Sequence, residues 1–280
     1  MYVKINTLSF QLIGSKMALS GMIRTKIIAD LAGEYEPDLL VCAGWSIDSI
    51  ANLKDLEIAT NRLENTTILI EVQHDSDLAL NGHRLKHLYK KESSPEHVMY
   101  AVNKGVSKRL GEQFFATSKE LDYVRGQRGL DAKEKITALE EDIMHRKFVA
   151  GGKKVIALCC GELNILKGRD NVNCRSAIIA SHLESTNIII NPTHDLMGNG
   201  GTLKAKRKYM SNSKGMQNKL SISVSNWNSN KKRSDGKFIM QNPIAPTLHT
   251  VYRDGAALEP IDVIRGKDRY EMRMFDVSKL

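Results

Sequence analysis

The chain reads as α/β. Short apolar runs rich in β-branched residues recur along it, and spans with apolar residues at helical spacing lie between them. Polar and nucleophilic residues also gather where those runs stop. Val155–Cys159 leads straight into Cys160, and Asn187–Ile190 leads into Asn191-Pro192-Thr193-His194-Asp195. In open α/β folds chemistry collects at strand ends.

Each element has its own justification. Val3–Leu12 alternates and reads as a first strand; with one early lysine and no long apolar core it does not read as a secretory leader. Ser20–Leu31 places Met22, Ile23, Ile27, Ile28 and Leu31 at helical spacing. Asp38–Cys42 is a buried strand that leaves through Ala43-Gly44-Trp45-Ser46. Asp48–Arg62 reads as a helix and Thr66–Val72 as a strand. Val98–Val106 and Gln113–Thr117 read as a hairpin around Asn103-Lys104-Gly105, and Ala132–Ile143 as a helix within a charged stretch. The alternation resumes with Val155–Cys159, a helix near Ser176–His182, a strand Thr186–Asn191, a helix near Tyr209–Lys219 and a strand Ser221–Ser225. Lys237–Ala257 reads as short strands. Ile261–Leu280 is too apolar for a free tail and is expected to pack on its own domain or on a partner.

Composition narrows the classes. The 280 residues, 41% of them hydrophobic, suit one domain spanning residues 1–280 with a sizeable core. No run approaches the ~20 apolar residues that span a bilayer, so no membrane association is expected. Cys42, Cys159, Cys160 and Cys174 show no metal-ligand spacing. Free thiols in a reducing compartment, and hence a cytoplasmic location, are the simplest account. Neither a glycine-rich phosphate loop nor a metal motif is present, so no cofactor is expected. The net charge is +9, with runs at Lys204-Ala205-Lys206-Arg207-Lys208 and Lys231-Lys232-Arg233. These read either as solvated surface or as a weak, nonspecific contact for nucleic-acid phosphates, since no aromatic residues interleave with them.

Gly151-Gly152-Lys153-Lys154-Val155-Ile156-Ala157-Leu158-Cys159-Cys160-Gly161-Glu162 resembles the nucleophile block of the nitrilase, or carbon–nitrogen hydrolase, superfamily. Ile188-Ile189-Ile190-Asn191-Pro192 resembles the family's next block, and Arg207–Asn218 followed by Leu220–Asn226 resembles the one after it. The resemblance covers Phe148 to Leu258. It implies a four-layer α-β-β-α sandwich, commonly paired into a homodimer, that hydrolyses a small-molecule, non-peptide amide or related C–N bond. It also implies a cysteine nucleophile, a glutamate base and a lysine that stabilises the oxyanion.

Cys160 stands at the nucleophile position; its other reading is a buried, inert thiol. Gly44 stands where the family's glutamate is expected. Glu71, one strand over, is either a base relocated into the space left by Gly44 or a strand-end carboxylate facing solvent. The lysine block aligns with Leu110–Leu121 and places the ammonium near Phe115 or Ala116; Lys119 is the nearest lysine, and its other reading is a surface residue. Glu162 is expected in the site wall, and Trp45 and His194 beside the substrate. His194, and separately His74, offer a Cys–His alternative for the base. Beside the hydrolase stands a second reading, a degenerate module of the same fold that binds a ligand or partner in a regulatory or nucleic-acid-linked system.

Overall fold

The computed structural model describes residues 2–88, 96–122, 128–195, 200–229, 231–232, 238–239, 247–266 and 269–278. The basic-run residue Arg233 and the expected strand start at Lys237 lie outside them.

Two sheets form the centre. The first has the order Asp262–Gly266, Tyr270–Ser278, Tyr2–Ile13, Leu39–Cys42, Thr67–His74, Val98–Asn103, Val106–Glu112. The second runs Ala256–Ala257, His249–Arg253, Leu220–Val224, Ile188–Ile190, Lys153–Ala157, Lys147–Ala150. Each sheet has three central parallel strands: Tyr2–Ile13, Leu39–Cys42 and Thr67–His74 in the first, and Lys153–Ala157, Ile188–Ile190 and Leu220–Val224 in the second. Their C-terminal ends carry the site.

The period of two along each strand builds the layers. Val3, Ile5, Leu39, Val41, Leu69, Met99 and Phe275 of the first sheet meet Val155, Ala157, Ile188, Ile190, Ile222 and Val251 of the second. The alternate residues, among them Leu8, Leu40, Ile68, Ile70 and Val72, pack outward on Ile28, Leu31, Leu53 and Leu56 of the helices Gly21–Tyr35 and Ile50–Thr60. Ile156, Leu158 and Ile189 pack outward on Leu139, Ile179, Leu183, Leu203 and Met210 of the helices Arg128–Asp142, Ala177–Glu184 and Gly200–Asn212. The result is the four-layer α-β-β-α sandwich. Ser20, Ser49 and Ser176 cap their helices by accepting from the N–H three residues on.

Several boundaries differ from expectation for local reasons. The hairpin turn is at Lys104-Gly105, with φ of 52° and 70°. A two-residue turn of this kind returns the chain at once, so the second strand is Val106–Glu112 rather than Gln113–Thr117. The expected helix near Tyr209–Lys219 is Gly200–Asn212. The Lys153–Ala157 strand stops before the two cysteines, and Cys160–Ile165 forms a 3-10 turn. The apolar C-terminal segment is a strand of its own sheet: Tyr270–Ser278 pairs antiparallel with Tyr2–Phe10 and buries Met272, Phe275 and Val277. Half of the first basic run points inward. Arg207 donates to Ser223 Oγ, and Lys206 donates to Asn164 Oδ1 in a cavity of about 540 Å³ shared with Arg169 and Arg175.

Candidate active site

The site is assembled from strand ends of both sheets. Glu71 follows Leu69 with the same parity on Thr67–His74, so it faces the second sheet. Fully burying a Leu on this face contributes roughly 1.5–3 kcal/mol, whereas a carboxylate there is costly unless paired. Glu71 is paired. Its Oε2 accepts from the Trp45 backbone N–H at 2.8 Å and is 2.8 Å from His194 Nε2. Burial alone pushes this carboxyl up, but His194, His97 and the Trp45 N–H outweigh it and hold the group at about 2.

Gly44 makes the arrangement possible. A Cβ there would lie 2.9 Å from Glu71 Oε2 and would collide with His194 Cδ2. Asn226, at the end of Leu220–Val224, stitches this junction. Its Nδ2 donates to Gly44 O at 2.6 Å and to His194 O at 2.9 Å, and its Oδ1 accepts from Phe10 N–H at 2.9 Å.

The His194 ring stacks on Trp45 with centroids 4.3 Å apart and meets His97 edge-on at 4.7 Å. Trp45 holds a left-handed φ of 57°, an unfavourable conformation for a bulky residue and one that recurs at functional sites. His97 precedes the strand Val98–Asn103. Through the Val72–Val98 register it shares the inner face with Glu71 as a diagonal neighbour. Burial is the main cause that pushes His97 down to about 4, against the attraction of Glu71.

Cys160 is half-buried at the start of its 3-10 turn. The His194 backbone N–H favours the thiolate, but burial, reinforced by the Glu71 charge, pushes the thiol up to about 12. The resting group is therefore a thiol that needs a base. Asn191 Nδ2 holds the turn from below, donating to the carbonyls of Leu158 at 3.1 Å, Cys159 at 2.8 Å and Cys160 at 3.3 Å.

Glu162 has a different post from the site wall expected of it. It is fully buried, and its two oxygens accept from Phe114 N–H at 3.1 Å, Cys159 N–H at 2.8 Å and two Arg146 nitrogens at 2.7 and 3.1 Å. Those bonds spend the carboxylate on clamping the Cys159–Cys160 turn. Arg146 is itself fully buried and lies 3.1 Å from Cys159 Sγ. Cys159 is buried and pushed well up by desolvation.

Lys119 is exposed on the turn Ser118–Glu120. At the expected lysine position the Phe115–Ala116 backbone presses on Gly161, which has no Cβ to obstruct it. His74 is exposed beside Glu96. Among the sequence candidates, then, the structure gathers Cys160, Glu71, His194 and Trp45, and leaves Glu162 behind the turn and Lys119 at the surface.

Sequence reasoning missed His97, Arg146 and Gln113. Gln113 Oε1 accepts from Gly161 N–H at 3.3 Å, and its side chain also engages the His97 ring. The period of two running back from Ala101 and Met99 to His97 was the available signal. Glu71, His97 and His194 also bring three potential metal-ligand atoms within 4.8 Å of one another, a grouping invisible to motif spacing because it joins distant segments.

No protein-family model matches the sequence, and no curated protein matches it significantly. Solved structures do match the fold. XC1258 of Xanthomonas campestris, described as a CN-hydrolase superfamily protein, superposes with a TM-score of 0.53 and 8% identity, over 99% of this chain and 91% of that one. A cysteine-to-alanine mutant of an amidase from Nesterenkonia sp. AN1, in complex with butyramide, gives 0.52 and 9%, over 98% and 90%. A glutamine-dependent NAD+ synthetase from Acinetobacter baumannii gives 0.54 and 8%, over 100% of this chain but 46% of that one. With its two inward-facing sheets and its cysteine at the end of a parallel strand, the chain has the carbon–nitrogen hydrolase fold.

Proposed function

We propose that the protein is a cysteine-dependent hydrolase of small, non-peptide amides, in which a His194–Glu71 pair takes the place of the family's glutamate. The observation that carries this reading is the junction itself. The His194 ring meets Glu71 at 2.8 Å, and the His194 backbone N–H favours the Cys160 thiolate. A carboxylate held at about 2 is a poor proton acceptor, so Glu71 orients and His194 accepts. Cys160 Sγ attacks the amide carbon, its proton passes to His194 and then to the leaving amine, and water cleaves the thioester with His194 again as base. An imidazolium beside the reacting carbon also supplies the positive charge that Lys119 was expected to bring. The structural neighbour with butyramide bound supports a short aliphatic amide as the substrate class.

Ammonia release from a panel of short-chain amides, with intact-mass detection of an acyl group on Cys160, tests the proposal. Turnover that disappears in Cys160→Ala is the expected result. An acyl adduct that never forms on any amide would favour the second reading, a binding module of this fold. The observation behind that alternative is that Lys119 is exposed on the turn Ser118–Glu120.

Two further expectations belong to the proposal. The free thiols fit a reducing, cytoplasmic setting; no helix among the described residues is long and apolar enough to cross a membrane. A homodimer remains an expectation of the family resemblance, because the C-terminal segment that also motivated it is covered by its own sheet. Light scattering at micromolar concentration decides it.

A further inference from the structure

The geometry points to a divalent transition-metal site formed by Glu71, His97 and His194, of the class that takes Zn2+ or Co2+. This goes beyond amide hydrolysis, whose steps above require no metal, and metal binding does not depend on that reading.

Each residue offers one ligand atom, and the three atoms lie within 4.8 Å of one another. Ligands at about 2.0–2.2 Å from a tetrahedral Zn2+ are roughly 3.3–3.6 Å apart, so small side-chain movements close the set. Two imidazoles and one carboxylate select borderline metals; Ca2+ and Mg2+ prefer all-oxygen sites.

A second observation is independent of the clustering. Among the described residues His97 Nε2 is buried and has no hydrogen-bond partner. Leaving a buried polar atom unsatisfied costs about 1–3 kcal/mol, and a cation would give this nitrogen's lone pair a partner.

The ligands also come from elements that hold them. Glu71 and His97 are diagonal neighbours on one antiparallel pair. His194 arrives from the second sheet, its ring fixed by the Trp45 stack and its carbonyl by Asn226. Gln113 engages the His97 ring. Such outer contacts orient ligands in metal sites. Three protein ligands leave a fourth position open, as in exchangeable rather than sealed zinc sites. If the hydrolase reading holds, an ion here would draw His194 away from Cys160 and silence the thiol, so that zinc is an inhibitor.

The test uses the full chain, stripped with chelator and titrated with Co2+, followed by Zn2+ competition. One Co2+ per chain with the strong visible absorption of a four-coordinate ion, displaced by Zn2+, is the expected result. His97→Ala removes one of three ligands and should weaken binding by more than the roughly 10- to 100-fold cost of losing an outer-shell partner, while keeping the wild-type circular dichroism. His145→Ala, at an exposed histidine, should bind like wild type and controls for surface imidazoles. Should His97→Ala misfold, His97→Gln is the second variant, with the same loss expected. Absence of stoichiometric uptake, the weak absorption of a six-coordinate ion, or unchanged binding in a folded His97 variant overturns the site. Amide turnover is not read, so failure here is distinct from failure of the hydrolase proposal.

Discussion

Glu71 Oε2 lies 2.8 Å from His194 Nε2, across the junction of two sheets that contribute one residue each. The residues are 123 positions apart in the chain. Gly44 keeps the space between them open, and the Glu71 charge and the His194 backbone N–H act in opposite directions on the Cys160 thiol at a third strand end.

Glu71→Gln is expected to lower kcat on amides by about 10²- to 10⁴-fold, the range for lost acid–base assistance, with little change in KM. Gln keeps the shape of Glu71 but cannot hold the histidine's charge. Gly44→Ala should do similar damage by displacing His194. Steady-state kinetics on both variants check this, and wild-type kcat in Glu71→Gln would remove Glu71 from the mechanism.

Among the four thiols, Cys160 is expected to react first with limiting iodoacetamide. Cys42 and Cys159 are buried, and Cys174, half-buried like Cys160, has the carboxylates Glu140 and Glu184 rather than a histidine among the groups that act on it. Peptide mapping by mass spectrometry reads the order. Faster labelling at Cys174 would show that the Cys160 environment confers no advantage.

Glu162→Ala would leave Arg146 buried beside Cys159 without its main partner. Removing one member of a buried ion pair costs about 3–5 kcal/mol, so the urea midpoint should fall sharply and the Cys160 turn should loosen. Glu162→Gln retains an acceptor and should cost less. Urea melts of equal midpoint for all three proteins would contradict the clamp assigned to Glu162.

His249 gives a pH dependence of known sign. Its Nδ1 and Nε2 each lie 2.7 Å from a hydroxyl, Thr7 and Ser9 respectively, between the sheets. Burial, with Arg273 nearby, pushes its pKa well below the ordinary 6.5. The unfolded chain therefore binds this proton more readily than the folded one. The neutral ring's contribution is complete above about pH 6.5 and is lost as pH falls below it, by at most about 1.4 kcal/mol per pH unit for one proton. Denaturant midpoints between pH 7.5 and pH 5 should show this slope, and His249→Gln should flatten it. An unchanged slope in the variant would assign the effect to other groups.

The sequence by itself determined the layering and the strand end at which Cys160 stands. Runs such as Ile188–Ile190 and Thr67–Val72 name their strands because β-branched residues suit a pleated, buried surface, and Cys160 follows from where its strand must end. It offered Glu71 and His194 there only as alternatives and did not bring in His97. Glu71, His97 and His194 come together through sheet pairing, a diagonal register and a loop from the opposite sheet, none of which leaves a local spacing signal. Tertiary structure likewise decided that Glu162 faces Arg146 rather than the site, because a buried carboxylate goes where its hydrogen bonds are. It decided the same for Lys119, which the turn Ser118–Glu120 leaves at the surface. Periodicity encodes which face a residue occupies; only the packed sheets decide what stands opposite it.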